Sequence, residues 1–146
     1  MLNTVICGNL EVFKFPVTQE EYKKVVGVNP SYHNKERMGI STERFPVTNV
    51  SAYAAETFCG VLGGGWRLPT DEEWSLLEDA ELGIYDMSGN VWEWTSTTIG
   101  SDRVVRGGSW YDGADYVRAA FRGGNTPAGS YDNLGFRPVR TIILSK

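Results

Sequence analysis

Three runs decide the class of this chain: GIYDMSGNVWEW (83–94), RVVRGGSW (103–110) and LGFRPVRTIIL (134–144). Each is a short aromatic or β-branched stretch broken by glycine, which predicts strands of a small, irregular antiparallel sheet. Upstream of residue 83 the text changes to helix signals. Thr70 and Glu73 form a capping box, Asp71 and Glu72 favour the positive end of a helix dipole, and Trp74 and Leu77 supply a buried side, so a short helix to about Asp79 is expected. Ser51 caps another, with Ala52, Ala55, Cys59 and Leu62 on one stripe and Gly63-Gly64-Gly65 as its stop. A second capping box, Thr18 with Glu21, opens a helix carrying Tyr22, Val25 and Val26 that Gly27 ends. Strands with two or three packed helices give the class α+β.

At the outer ends of the pattern, Thr4 to Phe13 reads as a hairpin turning at Gly8-Asn9, a dipeptide that tolerates positive φ. Residues 28–48, polar and punctuated by Pro30 and Pro46, read as a surface loop that carries Arg37 and the only histidine, His33. His33 is expected neutral and exposed, since no neighbouring nucleophile or carboxylate in the sequence frames it. Cys7 and Cys59 lack the close spacing of a metal knuckle and are read as buried thiols; their spacing leaves a bridge between them open.

The 146 residues, 41% apolar, fit one domain spanning 1–146. A net charge of −4 from scattered acids, with no run among the fourteen Lys and Arg, argues against a nucleic-acid partner. No stretch approaches the roughly eighteen apolar residues of a membrane span, and MLNTVICGNLEVF lacks the basic and apolar regions of a secretory leader. No direct membrane insertion is expected; the default location is the cytoplasm, with display on a virion or cell surface through a partner as the other option. One histidine excludes every site that needs two imidazoles. With no long apolar edge or heptad, the expected state is a monomer.

Six separated blocks, FPVTQEEY, FPVTNVSAYAAETFC, WRLPTDEEW, GIYDMSGNVWEW, RVVRGGSW and NLGFRPVR, resemble in order and spacing the formylglycine-generating, sulfatase-modifying family. That resemblance implies an elaborated C-type lectin-like fold. It also implies where oxidase chemistry would reside, in a pair of cysteines after the RGGS block that hold copper. Those positions here are Asp112 and Val117. A carboxylate and an isopropyl group do not replace soft thiolates for Cu(I), so no enzymatic activity, catalytic residue or cofactor is expected. The iron-dependent sulfoxide synthases that share the domain need several histidines. The chain also passes directly from the third predicted helix to GIYDMSGN, without the long insertion that helps build the enzymes' substrate groove.

The chain is also similar to variable proteins of diversity-generating retroelements, several of which use this fold. In those systems adenine-directed copying rewrites codons near the end of the gene, most often AAC to NNC, and NNC cannot encode Lys, Glu, Gln, Met or Trp. Residues 1–110 contain 24 of those five types; residues 111–133 contain none. Within a variable region at 106–140, the resemblance and the paratope-like mixture of Tyr with Gly, Ser and Asp point to one ligand-binding surface. Its expected members are Tyr111, Asp112, Gly113, Asp115, Tyr116, Phe121, Gly123, Gly124, Gly129, Ser130, Tyr131 and Asp132. The expected partner is a protein or other surface-displayed ligand.

Arg118, Ala119, Ala120, Arg122 and Asn125-Thr126-Pro127 are expected to hold these loops, with Gly107 and Gly108 bending the strand and Trp110 filling the space beneath. Arg103, Arg106, Arg137 and Arg140 are candidates to satisfy loop carbonyls. Asn90 and Glu93, with backbone oxygens near Gly89 and Val91, resemble a calcium position of the larger family; the other reading is that both are structural partners in a tight turn. The competing functions are a reduced oxidase of the formylglycine-generating type and a sugar-binding lectin, the latter resting on fold alone.

Overall fold

The computed structural model describes residues 2–78, 83–85, 87, 90–108 and 122–143. The element order is β1 (Thr4–Cys7), β2 (Leu10–Phe13), α1 (Gln19–Val26), α2 (Lys35–Met38), α3 (Ala52–Leu62), α4 (Asp71–Glu78), β3 (Trp92–Ile99), β4 (Asp102–Arg106), β5 (Arg122–Asn125), β6 (Leu134–Gly135) and β7 (Val139–Thr141). The strands form two sheets, β1-β2-β7 and β5-β4-β3-β6. The mixed α+β class therefore stands.

Local chemistry sets the helix ends where the sequence places them. Thr18 Oγ1 accepts from the Glu21 amide while the Glu21 carboxylate accepts from the Thr18 amide, and Gly27 closes α1 at φ 98°. The same reciprocal pair, Thr70 with Glu73, starts α4. Ser51 caps α3, and Gly63 ends it at φ 72°. The hairpin β1-β2 turns at Gly8, φ 61°, with Cys7 opposite Leu10.

Three features depart from the expectation. The runs at 83–144 do not share one sheet, because β7 pairs with β2 in the first sheet. The loop 28–48 contains α2, one turn capped by Asn34 and ended by Gly39 at φ 69°. The second sheet is not wholly antiparallel: β6 runs parallel to β3, with Trp92 opposite Leu134 and Glu93 opposite Gly135. The cause is connectivity. β5 is antiparallel to β4, and the chain then crosses to the far edge of the sheet through residues 126–133, so β6 re-enters in the direction of β3.

The main core lies between the helices and both sheets. Tyr22 stacks on Phe58 at 5.6 Å, Phe58 meets Phe136 at 5.3 Å, and Trp94, Val47, Val50 and Leu134 are among the residues packed with them. A smaller cluster, Leu10, Val12, Leu77 and Val139, joins α4 to the first sheet. Cys59 is buried within the main core; Cys7 is only half-buried because it lies on the edge strand β1, and both are free thiols.

Candidate ligand-binding face

Of the residues expected on the binding surface, Gly123, Gly124, Gly129, Ser130, Tyr131 and Asp132 are described; Tyr111, Asp112, Gly113, Asp115, Tyr116 and Phe121 lie outside the described residues, as do Trp110 and the framework residues Arg118, Ala119 and Ala120. Gly123 and Gly124 sit in β5 opposite Val105 and Val104. A Cβ at Gly123 would stand 3.2 Å from Val105 Cγ2 and 3.6 Å from the Trp92 ring, whereas one at Gly124 would meet Asp102 at an ordinary 3.6 Å. The other four occupy the crossover between β5 and β6, where Ser130 and Tyr131 are exposed and Gly129 and Asp132 half-buried.

Main-chain bonds hold that crossover. The Ala52 amide donates to Pro127 O at 3.0 Å, the Asn49 amide to Tyr131 O at 2.9 Å, the Trp92 amide to Asn133 O at 2.9 Å, and the Gly129 amide to Thr126 O at 3.0 Å. Three of the four tie the crossover to fixed parts of the fold. None depends on the identity of a side chain at 129–132.

The fixed frame beneath is a set of buried arginines. Arg137 Nε and Nη2 donate to the Glu93 carboxylate at 3.0 and 3.2 Å, and both side chains are 0% exposed. The same guanidinium donates to the carbonyls of Phe13, Lys14 and Tyr85, joining the end of β2 and the segment before β3 to the stretch between β6 and β7. Trp74 Nε1 donates to Glu93 Oε1 at 3.1 Å. Glu93 is thus a structural partner: both carboxylate oxygens face a guanidinium, which opposes a calcium ion at the same atoms. Arg106 reaches the Asp71 carboxylate at 2.6 Å and lies 4.6 Å over the Trp74 ring. Arg140 reaches the Gly64 carbonyl and Glu11, while Arg103 pairs with Glu56 and not with a carbonyl. Gly107, φ 100°, leaves β4 where a Cβ would come within 3.1 Å of Met87 O, and Gly108 follows at φ 67°.

His33 departs from expectation. It is half-buried, its Nε2 is 3.6 Å from Asp132 Oδ2, and its ring meets Tyr32 edge-on at 5.1 Å. The carboxylate comes from the crossover, distant in sequence, so no local reading could place it. His33 also lines a cavity of about 360 Å³ with apolar walls from Met38, Phe45, Pro46 and Val91. Gln19, Thr48 and Asn90 complete it. No sequence signal marked these residues as one cavity, because a cavity assembled from α1, α2, the loops beside them and the approach to β3 has no periodicity. Gln19 is tied into the fold: its amide donates to His33 O at 2.9 Å and its oxygen accepts from Asn29 and Thr42.

Among the described residues no group of three or more His, Cys, Asp or Glu is placed to hold a metal ion. Burial, reinforced by Glu56, pushes the Cys59 thiol up to about 12, so little of it is thiolate near neutral pH. Among the described residues, no helix is long and apolar enough to cross a membrane.

The sequence pattern of the sulfatase-modifying factor enzyme 1-like domain matches residues 3–77 and 75–142. The chain belongs to that family. It is 32% identical to inactive C-alpha-formylglycine-generating enzyme 2 of Bos taurus, over 64% of this chain and 49% of that protein. The chain spans no more than about half the length of the first curated relatives it matches. Its fold is that of Treponema denticola variable protein 1, with a TM-score of 0.79 at 24% identity, covering 90% of this chain and 84% of the other. The M1 variant of the major tropism determinant shares the fold at a TM-score of 0.67 and 14% identity, covering 98% of this chain and 53% of that one.

Proposed function

We propose that the chain is a non-enzymatic display protein, whose residues 111–133 within a variable region at 106–140 are diversified by a retroelement to bind varied protein targets. One observation carries this reading: the five residue types that NNC codons cannot encode occur 24 times in residues 1–110 and never in 111–133. The crossover's main-chain anchoring supports it, since side chains at 129–132 can change without breaking the bonds that hold them. The names of the two fold neighbours, a variable protein and a tropism determinant, accord with binding to external targets. Asp112 and Val117 at the positions of the family's copper-holding cysteines weigh against the oxidase.

The test is the sequence of the gene's neighbourhood. A second copy of the coding region for 106–140, beside a reverse transcriptase and differing only where the copy has adenines, supports diversification. A neighbourhood with no such copy refutes it. A stoichiometric Cu(I) complex of the purified protein would return the oxidase to first place, and calcium-dependent glycan binding would favour a lectin.

A further inference from the structure

The cavity next to Asp132 has none of the crossover residues 126–133 among its described lining. At about 360 Å³ it falls in the size range of ligand pockets, on the order of 300–1,000 Å³. Met38, Phe45, Pro46 and Val91 make the wall mainly apolar; of the polar residues that share it with His33 and Asn90, Gln19 donates to His33 O and accepts from Asn29 and Thr42, and Thr48 Oγ1 donates to Asn49 Oδ1. Such a wall selects an apolar occupant.

Its position is the second observation. Asn49, in the left-handed region at φ 59°, accepts the Tyr32 amide on its side-chain oxygen at 2.8 Å and donates its own amide to Tyr131 O at 2.9 Å. One residue therefore fixes the loop at the cavity mouth to the crossover that carries Tyr131 and Asp132. His33 is at once cavity wall and neighbour of Asp132.

The third observation is what surrounds the mouth. Tyr32 is 49% exposed with the Arg37 guanidinium 4.3 Å over its ring, and Met38 is 43% exposed. Tyrosine, arginine and methionine are the types enriched at protein interfaces. A free small molecule filling the cavity would touch Met38 but leave the exposed Tyr32–Arg37 pair wet. A protein that seats one side chain there covers that pair too.

We propose that this cavity is a fixed anchor pocket, which receives one apolar side chain of the bound protein while the diversified loop reads the surface around it. The partner's being a protein rests on the display reading; the pocket's preference for an apolar side chain does not. Specificity then divides in two, an invariant apolar contact from the pocket and variable contacts from the crossover.

The probes are N-acetyl-L-leucinamide and N-acetyl-L-phenylalaninamide, titrated into the ¹⁵N-labelled protein. Saturable amide shifts are expected at Met38, Phe45, Thr48 and Val91, with a Kd on the order of millimolar for ligands of this size, and none with N-acetyl-L-lysinamide. Met38→Glu, at an exposed position, is expected to weaken binding about tenfold or more. Val61→Glu, on the exposed side of α3, is expected to leave it unchanged. No saturable shift by about 10 mM, shifts centred elsewhere, or equal binding by Met38→Glu would overturn the pocket. The probes carry no protein surface, so this outcome is independent of the gene-neighbourhood test: a missing template copy sinks the display reading alone, and silent probes sink the pocket alone.

Discussion

Arg137 ties distant parts of the chain together, because one guanidinium closes the Glu93 carboxylate and three carbonyls from two separate segments, Phe13-Lys14 and Tyr85. Removing one member of a buried ion pair leaves the other uncompensated, at a cost of about 3–5 kcal/mol. Arg137→Leu is expected to lose at least that much in urea unfolding; a loss under about 1 kcal/mol would mean that water replaces the guanidinium. Glu73 gives a pH-dependent counterpart. Its carboxyl is held below the ordinary glutamate value, first by the hydrogen bond from Arg67 at 2.7 Å and further by the Thr70 amide, against the opposing effect of burial. A depressed folded-state value contributes stability above the unfolded value and loses it as pH falls through the folded one. Glu73→Gln is therefore expected to be less stable than the parent at neutral pH, with the gap in urea midpoint narrowing on acidification; a constant gap would contradict this. Both glutamates were visible in the sequence, unequally. The link from Glu73 to Thr70 spans three residues and reads directly as a capping box. The partners of Glu93, Trp74 and Arg137, come from distant elements, so its role stayed open between ion ligand and structural acceptor until the chain was folded.

Elements show the same division between local and long-range causes. α1, α3 and α4 were legible because caps, stripes and stops lie within a dozen residues of one another. α2 was not, since four residues are too few to show a period, although Asn34 and Gly39 bracket it. β5, with the sequence RGGN, has no strand propensity of its own; pairing with β4 makes it a strand. That pairing also separates two residues that the sequence reading had treated alike. Positions 123 and 124 point to opposite sides of the sheet, and only the first is closed off by Val105 and Trp92. Gly124→Tyr is expected to change stability by less than about 1 kcal/mol, whereas Gly123→Tyr must displace the Trp92 ring and is expected to cost about 1–3 kcal/mol. Thermal unfolding of the two variants checks this. Equal losses would mean that β5 shifts to admit either side chain.

For the molecule as a whole, the six sequence blocks were enough for the family and the lectin-like class, because they mark the frame. They did not disclose the parallel β3–β6 pair, which depends on where a crossover without periodic pattern re-enters the sheet. That crossover is also where tolerance to change has its physical basis. Its bonds to Ala52, Asn49 and Trp92 run between main chains, while the frame below depends on particular side chains and on closeness that only glycine allows, as at Gly135, where a Cβ would fall 2.6 Å from Val47 O. Randomising Gly124, Ser130, Tyr131 and Asp132 together should therefore change little that holds the chain. Each substitution at such exposed or half-exposed positions is expected to contribute within about 0.5 kcal/mol, so most of the pool should melt within about 5 °C of the parent. A matched pool randomised at Glu93, Gly107, Gly135 and Arg137 should be largely unfolded. Protease survival followed by sequencing reads both pools at once. If the crossover pool is depleted as heavily as the frame pool, main-chain anchoring does not decouple the loop from the fold, and a diversified surface here would be incompatible with a stable protein.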